Sequence, residues 1–488
     1  MHFVLTPAEM SAADSHAIAS GTPESVLVER AGRAVARHAQ RMLGGTYGRR
    51  VVVLAGPGNN GADGRVAARH LWDRGVGVDE LLLEAGFAEH DLQRALSRAD
   101  LVIDAMYGTG FRGELEGLAA RACELVNADG TRVLAVDIPS GVNGATGVVA
   151  GAAVRAAETI CFAAYKPGLL FEPGRTLAGR VAVVDIGIAI DGSGTPQLSV
   201  LDVADLALPS PGADSHKWSS GCLVVGGSSG MVGAPLLAGS AALRCGAGMV
   251  VCAVPGLSAA GQVSGRELVA RALPATAEGA LAEDAAVAVL KEVARYGAVA
   301  IGPGLGRDPA TQAAIRRIVM EADVAMVIDA DALNAIAVDP SVLESRRAAG
   351  LPPAVLTPHA GEYERLAGRP VGDDRVAAAR ELAGRLHAIV LLKGPATVIA
   401  APDGRAVVNR TGGPALATAG TGDVLTGVIA GLVAQGVDPF DAAATGAYVH
   451  GRAAEAAPAA PDIVASDLVR ALPRTLRALR TGRDPWEK

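Results

Sequence analysis

The sequence predicts an α/β protein with two doubly wound, three-layer domains, each built around a mainly parallel sheet. Short apolar runs alternate with helical stretches along the chain, which is the pattern of strands joined by crossover helices. Half of the 488 residues are apolar, which is enough for two large cores. Breakers rich in Gly, Ser and Pro at 191–196 and 209–212 interrupt the alternation. We therefore expect domains at residues 1–208 and 209–488.

The first segment predicts two helices, and alternating strands follow it. Thr6-Pro7 and Thr22-Pro23 each predict an N-cap with proline at the first helical position. The strands expected in the first domain are Arg50–Leu54, Val78–Leu83, Leu101–Asp104, Val133–Asp137, Thr159–Phe162 and Val181–Asp185.

The composition excludes several classes of function. A net charge of −7 and an aromatic content of 3% argue against a nucleic-acid surface. The five cysteines form no CxxC pair, which predicts free thiols in a reducing cytoplasm. Neither a signal-peptide pattern nor an apolar run of about 18 residues is found, so no membrane association is expected. The histidine spacing does not suggest a zinc site.

A Gly-rich loop, GPGNNGADG at 56–64, follows the first predicted strand. Gly56, Gly58 and Gly61 satisfy the GxGxxG pattern, and Asp79 and Glu80 lie about 20 residues further on, where a ribose-binding acid is expected. A Rossmann dehydrogenase is therefore one interpretation. We favour another, because the loop also carries two asparagines and an aspartate, which offer side-chain oxygens.

Two more strand ends of the first domain carry oxygen ligands, DAMYGTGFRG at 104–113 and DIPSG at 137–141. Oxygens of Asn60, Asp104 and Ser140 that converge there suit a hard cation beside a polar ligand. The alternative for each is ordinary turn and cap chemistry.

In the second half, the segment GTGDVLTG at 420–427 combines a sharp turn with the start of an apolar helix, expected over Val424–Val433. Backbone N–H groups at a helix N-terminus bind anions. Asp423 there is placed to take a proton from a hydroxyl that attacks a phosphoryl group. The alternative is that Asp423 only caps the helix.

Other segments of this half place Gly-rich or polar residues directly after apolar runs. They are GGSSG (226–230), GPGLG (302–306), TPHAGE (357–362) and KGPAT (393–397). With the GTGD segment, we expect five strand ends of this kind. Ligands of open α/β sheets bind outside the carboxyl ends of the strands, so together these segments predict one site.

The second half resembles the ribokinase-like superfamily and, within it, the NAD(P)H-hydrate dehydratases. The motifs that carry the resemblance, over about residues 210–480, are SHK (215–217), GGSSGMVGAP (226–235), LRCGAG (243–248), GPGLG, DADALN (329–334), TPHAGE, KGPAT and AGTGDVLTG (419–427). The resemblance implies ADP-dependent dehydration of the S hydrate, with Mg²⁺ and with Asp423 as the base. It implies a hydrate pocket of Ala234, Gly304, His359 and Asp423, and a nucleotide site of Lys393, Gly394, Pro395, Ala396, Thr397 and Gly422.

The first half resembles the NAD(P)H-hydrate epimerase domain over about residues 5–190, and this part is expected to be Rossmann-like. The matching motifs are ERAG (29–32), GPGNNGADG, DAMYGTGFRG, VDIPSGVNGATG (136–147) and FAAYKPG (162–168). The chain departs from the family pattern at Ala62, usually glycine, and at Val28, often methionine.

The resemblance implies specific roles in the first domain. Asp137 would contact the substrate near the reacting carbon, with Lys166 as a second polar group, and we assign the proton exchange that the chemistry needs to Asp137. Asn60, Asp104 and Ser140 would hold a potassium ion. The hydrated dinucleotide would contact Asn59, Asn60, Gly61, Ala62, Asp63, Gly108, Thr109, Gly110, Phe111, Arg112, Gly113, Glu114 and Asp137.

Together the two resemblances imply a bifunctional repair enzyme for hydrated NADH and NADPH, and a homo-oligomer. Three alternatives stay open at this point. One is a small-molecule kinase fused to an unrelated domain, and another is a nicotinamide oxidoreductase built on Gly56–Gly61. In the third, the first half is a binding or assembly module without enzymatic activity. For His359 the alternative is a buried histidine bonded within its own turn.

Overall fold

The computed structural model describes residues 2–190, 198–263, 267–457 and 462–485. The chain divides into two compact units between Ser199 and Val200, slightly before the predicted boundary at 208/209. The segment after 200 belongs to the second unit, where the Ala207 N–H donates to Thr445 Oγ1 at 3.0 Å. The predicted breaker at 191–196 lies outside the described residues. The limits of the two functional domains stay a prediction.

The first unit contains a six-stranded sheet whose order is β3-β2-β4-β5-β6-β7. All of its strand pairs are parallel, as predicted. Its elements are β1 (His2–Phe3), α1 (Pro7–Ala19), α2 (Glu24–Leu43), β2 (Arg50–Ala55), α3 (Asn59–Trp72), β3 (Gly77–Leu82), α4 (Glu89–Leu96), β4 (Leu101–Ala105), α5 (Gly117–Asp129), β5 (Val133–Val136), β6 (Glu158–Phe162), α6 (Gly174–Ala178) and β7 (Arg180–Val184), with β8 (Leu198–Val200) at the junction.

Helices cover both faces of this sheet, because successive side chains of a buried strand point to opposite sides. Val51 and Val53 of β2 pack in one cluster with α1, α2 and α3. Val52 and Leu54 pack in another cluster with α4 and α5. The first unit is therefore doubly wound.

One of the two predicted helix caps is correct and the other is wrong. Thr6 caps α1 and forms a capping box with Glu9. Helix α2 begins at Glu24, so Pro23 occupies the N-cap and no side chain donates or accepts a capping hydrogen bond. Thr22 lies one residue too early to cap, because the proline is outside the helix rather than in its first turn.

The sheet of the second unit runs in the order β17-β16-β15-β14-β13-β12-β9-β10-β11. Strands β9 to β15 pair in parallel, whereas β15-β16 and β16-β17 are antiparallel. The elements are β9 (Gly221–Val225), α7 (Gly233–Arg244), β10 (Met249–Pro255), α8 (Gly256–Val263), β11 (Val269–Leu273), α9 (Ala285–Leu290), β12 (Ala298–Ile301), α10 (Pro309–Glu321), β13 (Ala325–Ile328), α11 (Asp331–Val338), α12 (Ser341–Ala348), β14 (Val355–Leu356), α13 (Ala360–Ala367), α14 (Arg375–Leu386), β15 (Ile389–Leu392), β16 (Thr397–Ala400), β17 (Ala406–Asn409), α15 (Thr421–Ala434), α16 (Pro439–Ala456) and α17 (Ala465–Leu479).

Four of the five expected strand ends are confirmed. The segments GGSSG, GPGLG, TPHAGE and KGPAT follow β9, β12, β14 and β15. Because these strands are parallel, their carboxyl ends lie at one edge of the sheet. The GTGD segment is the exception, since a short 3-10 turn at Pro414–Leu416 precedes it rather than a strand. Helix α15 also starts at Thr421, earlier than the predicted Val424.

The structure also bears on the predictions about the cysteines and about membrane-spanning segments. All five cysteines are buried free thiols. Within the described ranges, no helix has the length and apolar content that a membrane crossing needs.

Candidate functional site

A cavity of ≈ 440 Å³ opens in the first unit at the carboxyl ends of β2, β4, β5 and β6. Of the residues predicted to bind the dinucleotide, those that line it are Asn59, Asn60, Asp63, Gly108, Thr109, Gly110, Phe111 and Asp137. The others are not part of its lining: Gly61, Ala62, Arg112, Gly113 and Glu114. The methyl group of Ala62 therefore does not narrow the cavity, whereas Val28 lines it.

A buried ion pair lies in the wall of this cavity. Lys166 Nζ donates to Asp137 Oδ1 at 2.6 Å and to the Phe162 carbonyl at 2.9 Å. Burial alone would lower the pKa of Lys166, but Asp137 and Cys161 hold it above its usual value. Asp137 has a φ of 64°, and its Oδ2 accepts the Thr109 N–H at 3.2 Å. An ion pair whose two residues both line the cavity is suited to proton exchange.

The predicted cation ligands Asp104 and Ser140 meet although they are 36 residues apart in the chain. The Ser140 hydroxyl donates to Asp104 Oδ1 at 2.6 Å and its N–H to Oδ2 at 2.8 Å. The hydroxyl in turn accepts the Tyr107 N–H at 2.9 Å. Turn chemistry alone does not account for these contacts, because they join the end of β4 to the segment after β5.

Asn60, the third predicted ligand, is left without partners. Neither atom of its buried side-chain amide has a hydrogen-bond partner among the described residues. A buried amide normally finds a partner, so these atoms are available to a ligand or an ion. Gly108 lies against this amide, since a Cβ there would be 3.3 Å from Asn60 Oδ1.

The features that suggested a dehydrogenase have structural explanations. The carboxylate of Asp79 is 2.9 Å from Arg50 Nη2 and is not part of the cavity lining. A Cβ at Gly61 would be 1.8 Å from the Gly56 carbonyl oxygen. The GxGxxG pattern therefore reflects tight backbone packing, and the acid after it belongs to a surface ion pair.

In the second unit, Asp423 is the third residue of α15 and does not cap it. The N-cap is Gly420, with a φ of 88°, and no side chain makes the capping hydrogen bond. Burial, assisted by Asp329, raises the pKa of Asp423 to about 6, although Lys393 opposes the shift. A carboxyl group at a helix N-terminus with this pKa is available as a base near neutral pH.

A buried network joins two of the predicted nucleotide-binding residues. Lys393 Nζ donates to Asp329 Oδ1 at 2.8 Å, and Thr426 Oγ1 donates to Asp329 Oδ2 at 2.7 Å. A Cβ at Gly422 would be 3.5 Å from Lys393 Nζ. Burial by itself would lower the pKa of Lys393, but Asp329 and Glu362 raise it, so the ammonium group stays charged beside the helix N-terminus.

The rest of the KGPAT segment forms the turn between β15 and β16. Thr397 Oγ1 donates to the Gly394 carbonyl at 3.3 Å, and Arg375 Nη2 donates to the Lys393 carbonyl at 3.0 Å. Binding of nucleotide by this turn, Pro395 and Ala396 included, stays a prediction.

Two residues of the predicted hydrate pocket are neighbours. Gly304 has a φ of 71°, and a Cβ there would be 3.3 Å from the Ala234 Cβ. Ser228 Oγ donates to the Gly304 carbonyl at 2.9 Å, which connects the ends of β9 and β12.

His359 is the N-cap of α13. Its Nδ1 accepts the backbone N–H groups of Gly361 at 3.0 Å and Glu362 at 3.4 Å. The proton of the neutral ring must therefore be on Nε2. The side chain is 57% exposed, so it is bonded within its turn but is not buried, and its Nε2 lies 3.5 Å from Glu362 Oε1.

Sequence reasoning missed several residues of both sites. Asp14 of α1 and Glu24 of α2 line the first cavity, yet both helices have an unremarkable local sequence. Asp329 was visible only as the first residue of DADALN. His450 is buried with its pKa lowered to about 4, and its Nε2 is 2.9 Å from the Thr421 carbonyl at the start of α15.

Comparison with known families agrees with the division into two sites. The family described as NAD(P)H-hydrate dehydratase matches residues 222–474. The family described as YjeF-related protein N-terminus matches residues 24–99 and 84–168.

Two bifunctional NAD(P)H-hydrate repair enzymes match nearly the whole chain. The bifunctional NAD(P)H-hydrate repair enzyme of Moorella thermoacetica is 41% identical and covers 98% of this chain and 97% of its own. That of Salinibacter ruber is 40% identical, with coverage of 96% and 95%. Among solved structures, the ADP/ATP-dependent NAD(P)H-hydrate dehydratase from Bacillus subtilis is 32% identical, with a TM-score of 0.45 and coverage of 56% and 94%.

Proposed function

The chain belongs to the family of bifunctional NAD(P)H-hydrate repair enzymes, and on this basis we propose that it performs two repair reactions. The first domain, residues 1–208, interconverts the R and S epimers of hydrated NADH and NADPH. The second domain, residues 209–488, dehydrates the S epimer and converts ADP to AMP and phosphate. The resemblance also supports a homo-oligomer, and the cysteine usage supports a cytoplasmic location.

The epimerase reaction is assigned to the cavity that holds Asp137 and Lys166. The hydrate carries its hydroxyl at C6 of the nicotinamide ring, on a carbon bonded to nitrogen, so the hydroxyl can leave and return. Asp137 exchanges the proton that this step requires, and Lys166, 2.6 Å away, fixes the orientation of its carboxylate. The first turn of α3, residues 59–63, and the segment 108–114 after β4 hold the dinucleotide.

The dehydratase reaction is assigned to the N-terminus of α15. Asp423 takes the proton of the C6 hydroxyl as this oxygen attacks the terminal phosphoryl group of ADP. Phosphate and a ring proton then leave, which restores the dihydronicotinamide. Backbone N–H groups of Gly420–Gly422 face the transferred group, Lys393 to Thr397 hold the nucleotide, and Ala234, Gly304 and His359 contact the hydrate.

The potassium ion of the proposal is assigned to Asn60, Asp104 and Ser140. The residues fit it, because the Asn60 amide is buried without a partner and all the donors are oxygens, which hard cations prefer. When bound, the ion would supply positive charge that links the start of α3, the end of β4 and the segment after β5 beside the dinucleotide.

We propose that Mg²⁺ binds at the second site, because negatively charged groups collect there. The carboxylates of Asp329 and Asp331 both raise the pKa of Asp423, and Lys393 is the cation that opposes them. Phosphates would add further negative charge, so the residues fit a Mg²⁺ carried by the nucleotide. When bound, Mg²⁺ offsets charge on the phosphates.

One observation carries the proposal. The same chain has the Asp137–Lys166 pair in a cavity and the carboxyl group of Asp423 in the first turn of a helix that no side chain caps. The test is product analysis after incubation with hydrated NADH and ADP or ATP. With ADP, we expect one AMP and one phosphate to be released for each NADH that is restored. Accumulation of a stable phosphorylated product would instead indicate a small-molecule kinase.

A further inference from the structure

Two acidic residues of the first cavity have no role in the proton exchange described so far. Asp63 of α3 and Asp14 of α1 both line the cavity beside Asp137. Asp63 is only 8% exposed. In the described part of the chain, no group donates a hydrogen bond to its carboxyl group. A buried carboxyl group without a protein partner is costly, which points to a ligand that it serves.

The cavity contains more acids than bases. The titratable groups that line the cavity together with Asp63 are Asp14 on α1, Glu24 on α2, Tyr107 after β4, Asp137 after β5 and Lys166 after β6. The one cation among them, Lys166, is paired with Asp137. Asp14 and Glu24 therefore have no cation of their own among the residues that line the cavity.

The surplus of acids in the cavity affects the protonation of Asp63. Burial, reinforced by Asp137 and Asp14, raises the pKa of Asp63 to about 8. Burial also raises the pKa of Asp14, although Lys166 opposes that shift. The Asp63 carboxyl group therefore keeps its proton at neutral pH, whereas Asp137 already accepts a hydrogen bond from an ammonium group. Neighbouring acids in such different environments suit different roles.

Epimerisation itself calls for two proton-transfer groups. The hydroxyl must leave from one face of the ring and water must add to the other, so one proton is delivered and another is removed. We propose that Asp63 is a second catalytic residue of the epimerase, which protonates the departing C6 hydroxyl, and that Asp14 is a positioning residue that keeps Asp63 protonated. This proposal rests on the proposed function.

The step balances without another reactant. The carboxylic acid of Asp63 gives its proton to the hydroxyl, the C6–O bond breaks and water leaves, while the ring nitrogen lone pair forms the N1=C6 double bond. Water then adds to the other face and gives its proton to the carboxylate of Asp137. The reverse reaction uses the two residues in the opposite order, and solvent exchange resets them.

The test uses the full chain with mixed epimers and ADP. The S epimer should be repaired in a fast phase, and the R epimer in a slow phase limited by epimerisation. Asp63→Asn should slow the second phase on the order of 10²–10⁴-fold and leave the fast phase unchanged. The matched control is Asp79→Asn, which removes a carboxylate of a surface ion pair with Arg50 and should leave both phases unchanged.

Asp14→Asn gives a second readout that a structural role would not produce. Asp63 acts in its protonated form, so activity is lost as pH rises through its pKa. Removing the charge of Asp14 lowers that pKa, and the alkaline limb of the slow phase should move to lower pH. An unmoved limb would overturn the positioning role even if the variant were less active.

The outcomes also separate this inference from the proposed function. If the wild-type chain consumes the R epimer no faster than the uncatalysed reaction, the epimerase assignment itself is wrong. If the wild type is active and the slow-phase rate of Asp63→Asn is within a few-fold of the wild-type rate, only the role of Asp63 is wrong. Should Asp63→Asn prove unfolded by its thermal transition, the pH limb of Asp14→Asn decides the question.

Discussion

Replacing Asp423 with Asn tests the assigned base of the dehydratase. The substitution keeps the shape of the side chain and removes its ability to accept a proton. It breaks no hydrogen bond within the described chain, because Asp423 does not cap α15. The structure around the site should therefore survive, and any loss of turnover reports on chemistry.

The expected loss of turnover follows from the protonation state of Asp423 and from its role as the base. The pKa of Asp423 is raised to about 6, so roughly nine-tenths of the groups are ionised at pH 7 and able to act as base. A positioned acid–base group contributes on the order of 10²–10⁴ in rate, or about 2.7–5.4 kcal/mol of barrier. In the wild type, kcat/KM should also fall as pH drops below about 6, because the base becomes protonated.

The assay is recovery of dihydronicotinamide absorbance from the S hydrate with saturating ADP. Asp441→Asn is the matched control, because Asp441 is also the third residue of a helix, α16, and its pKa is likewise raised, mainly by burial. The control should keep wild-type turnover. Turnover of Asp423→Asn within ten-fold of wild type, or an acid limb that persists in this variant, would refute the reasoning.

Three further predictions concern the epimerase, its cation and the fold. Asp137→Asn should slow repair of the R epimer on the order of 10²–10⁴-fold without changing repair of the S epimer, in the biphasic assay. Asp104→Ala removes the one charged cation ligand, so it should raise the K⁺ concentration needed for half-maximal epimerase activity; an unchanged K⁺ titration would count against the site. Gly427→Ala should cost about 1–3 kcal/mol in urea unfolding, because its Cβ would be 2.0 Å from the Ala238 carbonyl oxygen. Gly384→Ala, with open space at its Cβ, should be neutral or stabilising by up to about 1 kcal/mol.

The strands could be predicted from the sequence because their signal is local. Each predicted strand of the first sheet agrees with β2 to β7 to within one residue at either end. The central strands β2, β4, β5 and β6 are largely buried, and buried parallel strands form continuous apolar runs. The start of α2 was placed wrongly, because a Thr-Pro-Glu sequence fits two positions of the proline, inside the helix or at its N-cap. Local residues do not distinguish between them.

The site was predictable only where its residues lie at strand ends. Asp104 and Ser140 follow apolar runs, so the sheet brings them together, as the 2.6 Å contact shows. Asp329 and Lys393 also directly follow strands, β13 and β15, but their pairing across 64 residues depends on the order of the strands in the sheet, which no local pattern encodes. Asp14 belongs to a helix whose position over the cavity depends on the whole unit, so no local pattern singles it out.

The central claim is that one chain carries two successive activities, and one time course tests it most directly. Mixed epimers and ADP are added to the wild type, Asp137→Asn and Asp423→Asn, and the dihydronicotinamide absorbance is followed to completion. The account predicts full recovery in two phases for the wild type and loss of only the slow phase for Asp137→Asn. It predicts strong slowing of both phases for Asp423→Asn. Equal single-phase recovery of both epimers by the wild type and by Asp137→Asn would contradict the account.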